Sequence, residues 1–134
     1  MGSEMCIRDR AVLKHPDVFH VAVAGAPVTS WKNYDSIYTE RYMRTPDENK
    51  DGYENGSCMK YVKDLKGRLL LVHGLIDDNV HPANTWQLAK ALQNENKRFD
   101  MMVYPGFKHG VGSTYRSLTW EYFVKHLRPD ASDE

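Results

Sequence analysis

The chain has 134 residues, enough for one domain with a buried core. Hydrophobic residues make up 41% and charged residues 27%, and 18 basic side chains balance 18 acidic ones. That composition suits a globular protein; it shows no basic footprint for nucleic acid, and no apolar run nears the roughly 18 residues of a membrane span. The two cysteines, Cys6 and Cys58, form no disulfide framework and have no histidine close by in sequence.

Residues 1–10 (MGSEMCIRDR) carry no periodicity and run abruptly into Ala11-Val12-Leu13. They lack the apolar stretch of a signal peptide and resemble a translated adapter, so they are read as a non-native leader. Ala11–His15 ends a helix, stopped by Pro16. Phe19–Gly25 is a strand closed by Pro27. Asn33–Met43 is a helix with Tyr34, Tyr38 and Tyr42 on one face. Pro46–Gly56 is a polar surface loop. Ser57 caps a short helix to Asp64, with Met59 and Val62 inward. Arg68–His73 is a continuous apolar run between Gly67 and Gly74, as expected of a parallel strand covered on both faces. A helix follows from Pro82 to about Asn94, with Leu88, Ala91 and Leu92 inward. Phe99–Tyr104 is the next strand. Ser113 caps a last helix whose stripe is Trp120, Phe123, Val124 and Leu127. The tail 129–134 is polar and acidic and is expected to fray. Strands alternating with helices make an α/β fold with a mostly parallel sheet and flanking helices.

In such sheets ligands bind at the carboxyl ends of strands. Two of the predicted strands end in loops that carry chemistry. Asp77-Asp78-Asn79-Val80-His81 follows the first, and Lys108-His109-Gly110 places a histidine 32 positions after Asp77. An acid and then a histidine after consecutive strands is the second half of an α/β-hydrolase triad. Asp77 is the candidate orienting acid and His109 the candidate general base. Asp78 is a rival acid, and His73 and His81 are rival bases. The blander alternatives are a turn or capping role for Asp77, a loop role for His109, a core hydrogen bond for His73 and a cap for His81. Zinc could be held by these residue types, but no H-x-x-x-H or H-E-x-x-H spacing occurs; no metal and no cofactor is expected. No G-x-S-x-G occurs in the sequence, and Ser3 lacks the glycines of a nucleophile elbow. The tyrosine face is either packing or the wall of a pocket for a compact apolar side chain such as proline.

Longer strings carry a resemblance. Ala24-Gly25-Ala26-Pro27-Val28-Thr29-Ser30-Trp31, the run from Tyr34 to Met43, Val72-His73-Gly74, Asp77 to His81, and His109-Gly110 resemble the dipeptidyl peptidase IV-like branch of the prolyl oligopeptidase family. The resemblance covers Ala11 to Leu127. It implies the C-terminal portion of an α/β-hydrolase fold, with Asp77 as the triad acid and His109 as the base. It implies that Tyr38 and Tyr42 line a proline pocket whose apolar wall Val28, Trp31 and Val80 complete. It gives Asn79 a hydrogen bond to the backbone carbonyl of a peptide substrate. The family's reaction passes through an acyl-enzyme on serine and releases an N-terminal dipeptide with proline or alanine second.

The departures lie upstream. The family's nucleophile sits in G-W-S-Y-G-G, shortly before the equivalent of Lys14, where the leader stands here. The oxyanion hole, the β-propeller and the glutamates that hold the substrate's amino terminus also lie upstream in the family. The expected organisation is therefore a leader at 1–10, a partial peptidase domain at 11–128 and a frayed tail at 129–134. Such a fragment is expected to be inactive without the missing upstream half and to leave one sheet edge open. Its parent is expected to be dimeric and secreted, periplasmic or membrane-anchored. The alternatives are a fragment of another α/β-hydrolase, such as an acylaminoacyl peptidase or esterase, and a non-catalytic interaction module.

Overall fold

In the computed structural model, residues 10–127 are described. The expected tail 129–134 and all of the expected leader except Arg10 lie outside them. A helical turn, α1 (residues 10–14), precedes strand β1 (Val21–Gly25). A 3-10 turn at Trp31–Asn33 leads to helices α2 (Ser36–Met43) and α3 (Lys50–Gly56), then a 3-10 helix at Cys58–Asp64. Strand β2 (Arg68–Gly74), helix α4 (Ala83–Asn94), strand β3 (Asp100–Tyr104) and helix α5 (Gly112–Leu127) complete the described chain.

The three strands form a parallel sheet in the order β1-β2-β3. β2 is central, and every residue from Leu69 to Gly74 is buried. That is why its sequence is a continuous apolar run rather than an alternating one. Alternate side chains feed two cores. Leu69 and Leu71 join Ala22 and Ala24 of β1, Val12 and Leu13 of α1, Cys58 and Val62 of the 3-10 helix, and Leu88 and Leu92 of α4. Leu70 and Val72 face the other way, with Val23, Val111 and Tyr122 and the partly buried Tyr115, Leu118 and Phe123 of α5. The sheet is thus a middle layer with α4 on one face and α5 on the other. Each fully buried Leu contributes about 1.5–3 kcal/mol relative to exposure.

Four expectations need correction. The helix expected from Asn33 begins at Ser36, because the Asp35 side chain accepts the Ile37 N–H at 2.9 Å and caps it there. Tyr34 therefore precedes the helix. The expected loop at 46–56 contains α3, started by Asn49, whose Oδ1 accepts the Gly52 N–H, and anchored by Tyr53, which is buried and donates its hydroxyl to the Arg44 carbonyl at 2.8 Å. Ser113 lies inside α5 rather than at its cap; the helix opens at Gly112, whose φ of 67° suits glycine. The expected stripe of α5 points mostly to solvent: Trp120, Val124 and Leu127 are exposed, while Tyr115, Leu118 and Tyr122 pack on the sheet. The Tyr122 hydroxyl is fixed by Asp100 Oδ2 at 2.7 Å, which selects that face.

Candidate functional site

The loops that follow β2 and β3 lie side by side at the carboxyl end of the sheet. Their backbones are laced together: Leu75 N–H donates to the Tyr104 carbonyl at 3.0 Å, and Ile76 N–H to the Phe107 carbonyl at 3.2 Å. Gly74 permits this approach, since a Cβ there would overlap the carbonyl oxygens of Phe107 and Lys108. The lacing brings Asp77 and His109 together.

Asp77 is buried at 5% exposure, and its carboxylate is filled by donors from several directions. Oδ1 accepts the backbone N–H groups of Asn79 at 2.9 Å and Val80 at 3.0 Å. Oδ2 lies 2.9 Å from His109 Nδ1. The carboxylate is wholly inside, whereas the His109 side chain is 32% exposed, so the imidazole stands between the acid and solvent. A proton on Nδ1 facing a carboxylate leaves Nε2 as the basic nitrogen of the neutral ring.

The rivals are placed elsewhere. Asp78 is exposed and pairs with Lys108 Nζ at 2.6 Å; that hydrogen bond holds its carboxyl below the ordinary range. His81 turns to the start of α4, where Nδ1 accepts the Ala83 N–H at 3.1 Å. His73 is buried behind Asp77, with Nδ1 2.6 Å from Thr85 Oγ1 and Nε2 2.8 Å from the Val80 carbonyl. Burial pushes its pKa below the usual histidine value. Among the described residues, no three His, Cys, Asp or Glu side chains are grouped to hold a metal ion.

The aromatic candidates form one continuous group beside the pair. Trp31 and Tyr38 stack with centroids 6.4 Å apart, Tyr34 meets both edge-on, and Tyr38 touches Tyr42 at 5.0 Å. Val28 and Val80 are buried against Trp31 and Tyr34, so they form the floor under the rings rather than an open wall. Tyr38 and Tyr42 are the exposed members. Hydrogen bonds moor this segment to α4: Thr29 Oγ1 donates to the Asn84 carbonyl at 2.9 Å, Asn33 Nδ2 to Gln87 Oε1 at 2.7 Å, and Asn84 Nδ2 to the Asn33 carbonyl at 3.4 Å. Another reaches the acid loop, where the Tyr34 hydroxyl donates to Asn79 Oδ1 at 3.3 Å. Asn79 thus connects the aromatic group to the Asp77 loop through its side chain and its backbone. Thr85 carries no sequence signal for a part in this arrangement, whereas His73 makes the buried hydrogen bonds expected of a histidine that closes an apolar strand, and Tyr34 joins the aromatic group from just ahead of α2.

The comparisons with known proteins agree with one another. The family model described as "Prolyl oligopeptidase family" matches residues 9–128. The chain is 44% identical over 119 residues to dipeptidyl peptidase 8 of Homo sapiens, covering 87% of this chain and 13% of that protein. It is 43% identical over 113 residues to dipeptidyl peptidase 4 of Bos taurus, covering 82% of this chain and 14% of that one. The crystal structure of Porphyromonas gingivalis dipeptidyl peptidase 4 superposes with a TM-score of 0.81 at 37% identity, over 90% of this chain and 18% of that one. The chain therefore spans a small part of the relatives it matches. Its parallel sheet with flanking helices is of the α/β-hydrolase type seen in those neighbours, and the chain belongs to the prolyl oligopeptidase family.

Proposed function

We propose that this chain carries the acid and the base of a serine peptidase of the dipeptidyl-peptidase type, which cleaves after proline through an acyl-enzyme. The observation that carries the reading is the 2.9 Å contact between His109 Nδ1 and an Asp77 carboxylate whose other oxygen takes two backbone N–H groups. In this reading His109 Nε2 accepts the proton of a serine hydroxyl as that oxygen attacks the scissile carbonyl. Asp77 fixes the tautomer and stabilises the imidazolium, which then protonates the leaving amine; water repeats the sequence to release the acyl group. The sequence contains no G-x-S-x-G, so the reading takes the hydroxyl and the oxyanion donors from protein outside these residues.

Specificity is assigned to the aromatic group. A proline ring is compact and apolar, and it packs well against flat aromatic faces. Tyr38 and Tyr42 supply exposed faces, Trp31 stacks on Tyr38, and Val28 and Val80 pack beneath Trp31 and Tyr34. Because Asn79 Oδ1 is engaged by Tyr34, its amide N–H groups are the donors available to a substrate carbonyl.

The test uses the full-length protein that contains this chain. Gly-Pro-p-nitroanilide should be hydrolysed with a far higher kcat/KM than short acyl esters or N-acylated amino-acid anilides. A preference for esters or N-acylated substrates would replace the reading with an esterase or an acylaminoacyl peptidase.

A further inference from the structure

His73 belongs to neither the aromatic group nor the Asp77–His109 contact, yet it is 1% exposed in the strand that delivers the acid. Its ring nitrogens are both engaged. Nε2 is 2.8 Å from the Val80 carbonyl, and a carbonyl oxygen accepts only. Nε2 therefore carries the proton. Nδ1, 2.6 Å from Thr85 Oγ1, is then the acceptor, and the threonine hydroxyl donates to it. Burial disfavours the charged ring, in keeping with this neutral tautomer. The same Nε2 also lies 3.3 Å from Asp77 Oδ2, the oxygen that faces His109.

We infer that His73 is a positioning residue for the acid: its Nε2–H is shared between the Val80 carbonyl and Asp77 Oδ2, and so fixes the oxygen that orients His109. The geometry explains why a single anchor is insufficient. The N–H groups of Asn79 and Val80 hold Oδ1 alone. A carboxylate held at one oxygen can still turn about that point and carry the other out of line with an imidazole. A donor behind Oδ2 removes that freedom. With it, Asp77 meets four donors, which matches the roughly four lone-pair sites of a carboxylate. Thr85 completes the device by locking His73 in the tautomer that donates toward the acid. The chain of Thr85, His73, Asp77 and His109 runs from helix α4 through strand β2 to the outer loop, and only its last member reaches solvent.

The inference rests on the role proposed for Asp77 and His109, and the experiment separates the two. Ring 15N shifts of the 134-residue chain, labelled in histidine, report which nitrogen of His109 carries the proton. Wild type should show mainly Nδ1–H. Asp77→Asn should abolish that preference; if it does not, the Asp77–His109 pair fails, and this inference with it. His73→Asn keeps a polar partner near Thr85 but cannot reach Oδ2, and should move His109 part of the way toward the Nε2–H form. His73→Gln places an amide N–H near the position of Nε2 and should restore the wild-type signal. No change in His73→Asn, or an equal disturbance in both variants, would overturn the positioning role while leaving the Asp77–His109 pair intact. Should His73→Asn fail to fold, Thr85→Val serves instead, since it leaves His73 in place and frees only its tautomer. A smaller shift in the same direction is then expected, and an unchanged His109 would overturn the inference. In the full-length protein the same ranking is expected in kcat, with His73→Asn below His73→Gln.

Discussion

Two adjacent carboxylates with opposite surroundings separate the roles of Asp77 and Asp78. Asp77 is interior and faces His109; Asp78 is exposed and faces Lys108. In the full-length protein, Asp77→Asn should lower kcat by about 10⁴, the loss typical when a triad acid can no longer hold the productive tautomer. Asp78→Asn should leave turnover nearly unchanged, and a reversed ranking in steady-state kinetics would move the acid's role to Asp78. His73 gives the molecule a pH dependence whose sign follows from burial. Burial holds its folded pKa below the ordinary histidine value of about 6.5, so near and below that pH the unfolded chain binds a proton that the folded chain refuses. Stability is therefore full above that value and is lost as pH falls. Denaturant midpoints should drop as pH falls below the ordinary histidine range, and His73→Gln should flatten the slope. His126, shifted the same way by burial, leaves a residual slope in that variant. At this scale the Asp77–His109 contact was legible, because an acid and then a histidine after consecutive strands is a pattern the sequence itself displays. The role of His73 was not, since it depends on the Val80 carbonyl and the Thr85 hydroxyl, which meet it only after the loop and α4 fold back.

At the scale of elements, the sequence reports strands and helices wherever burial repeats, and it fails where a tertiary contact decides. The run from Leu69 to Val72, short, apolar throughout and bracketed by Gly67 and Gly74, matched the covered strand it forms. Helix α3 was invisible in a segment rich in Asp, Asn, Glu and Gly, because what holds it is the Asn49 cap and the anchored Tyr53. In α5 two apolar stripes compete, and periodicity cannot say which one meets the sheet. Asp100 on the neighbouring strand settles it by holding Tyr122. The junction of β2 and β3 yields the element-scale prediction. Gly74→Ala would drive a methyl into the Phe107 and Lys108 carbonyls, which are backbone and cannot swing aside. Overpacking of this kind costs about 1–3 kcal/mol, and relief requires the two loops to part. Chemical denaturation should show the loss. In the full-length protein, turnover should fall further than stability explains, because Asp77 and His109 ride on opposite loops. A variant with intact turnover would show that the close approach at Gly74 is dispensable.

For the whole molecule, the described residues form a three-layer sandwich whose sheet has two outer strands, each paired on one side only. Beside β1 lies a cavity of about 500 Å³ lined by Ala11, Phe19, Val21, Ala22, Val23, Thr119 and Phe123. On the outer face of α5, Trp120, Val124 and Leu127 are exposed. Open edges and contiguous apolar surface promote association. The 134-residue chain by itself should therefore show a mass that rises with concentration in light scattering, and Trp120→Glu should lower it. A monomer at every concentration would show that these surfaces are inert. The amides of Asn79 and Val80 carry a different consequence. They sit outside any strand or helix, yet they end on a carboxylate that has no exposed surface. Their exchange with solvent deuterium is thus tied to the opening of the Asp77 pocket, not to the fraying usual in a loop. Two peptide groups in an irregular segment keep time with the acid they hold.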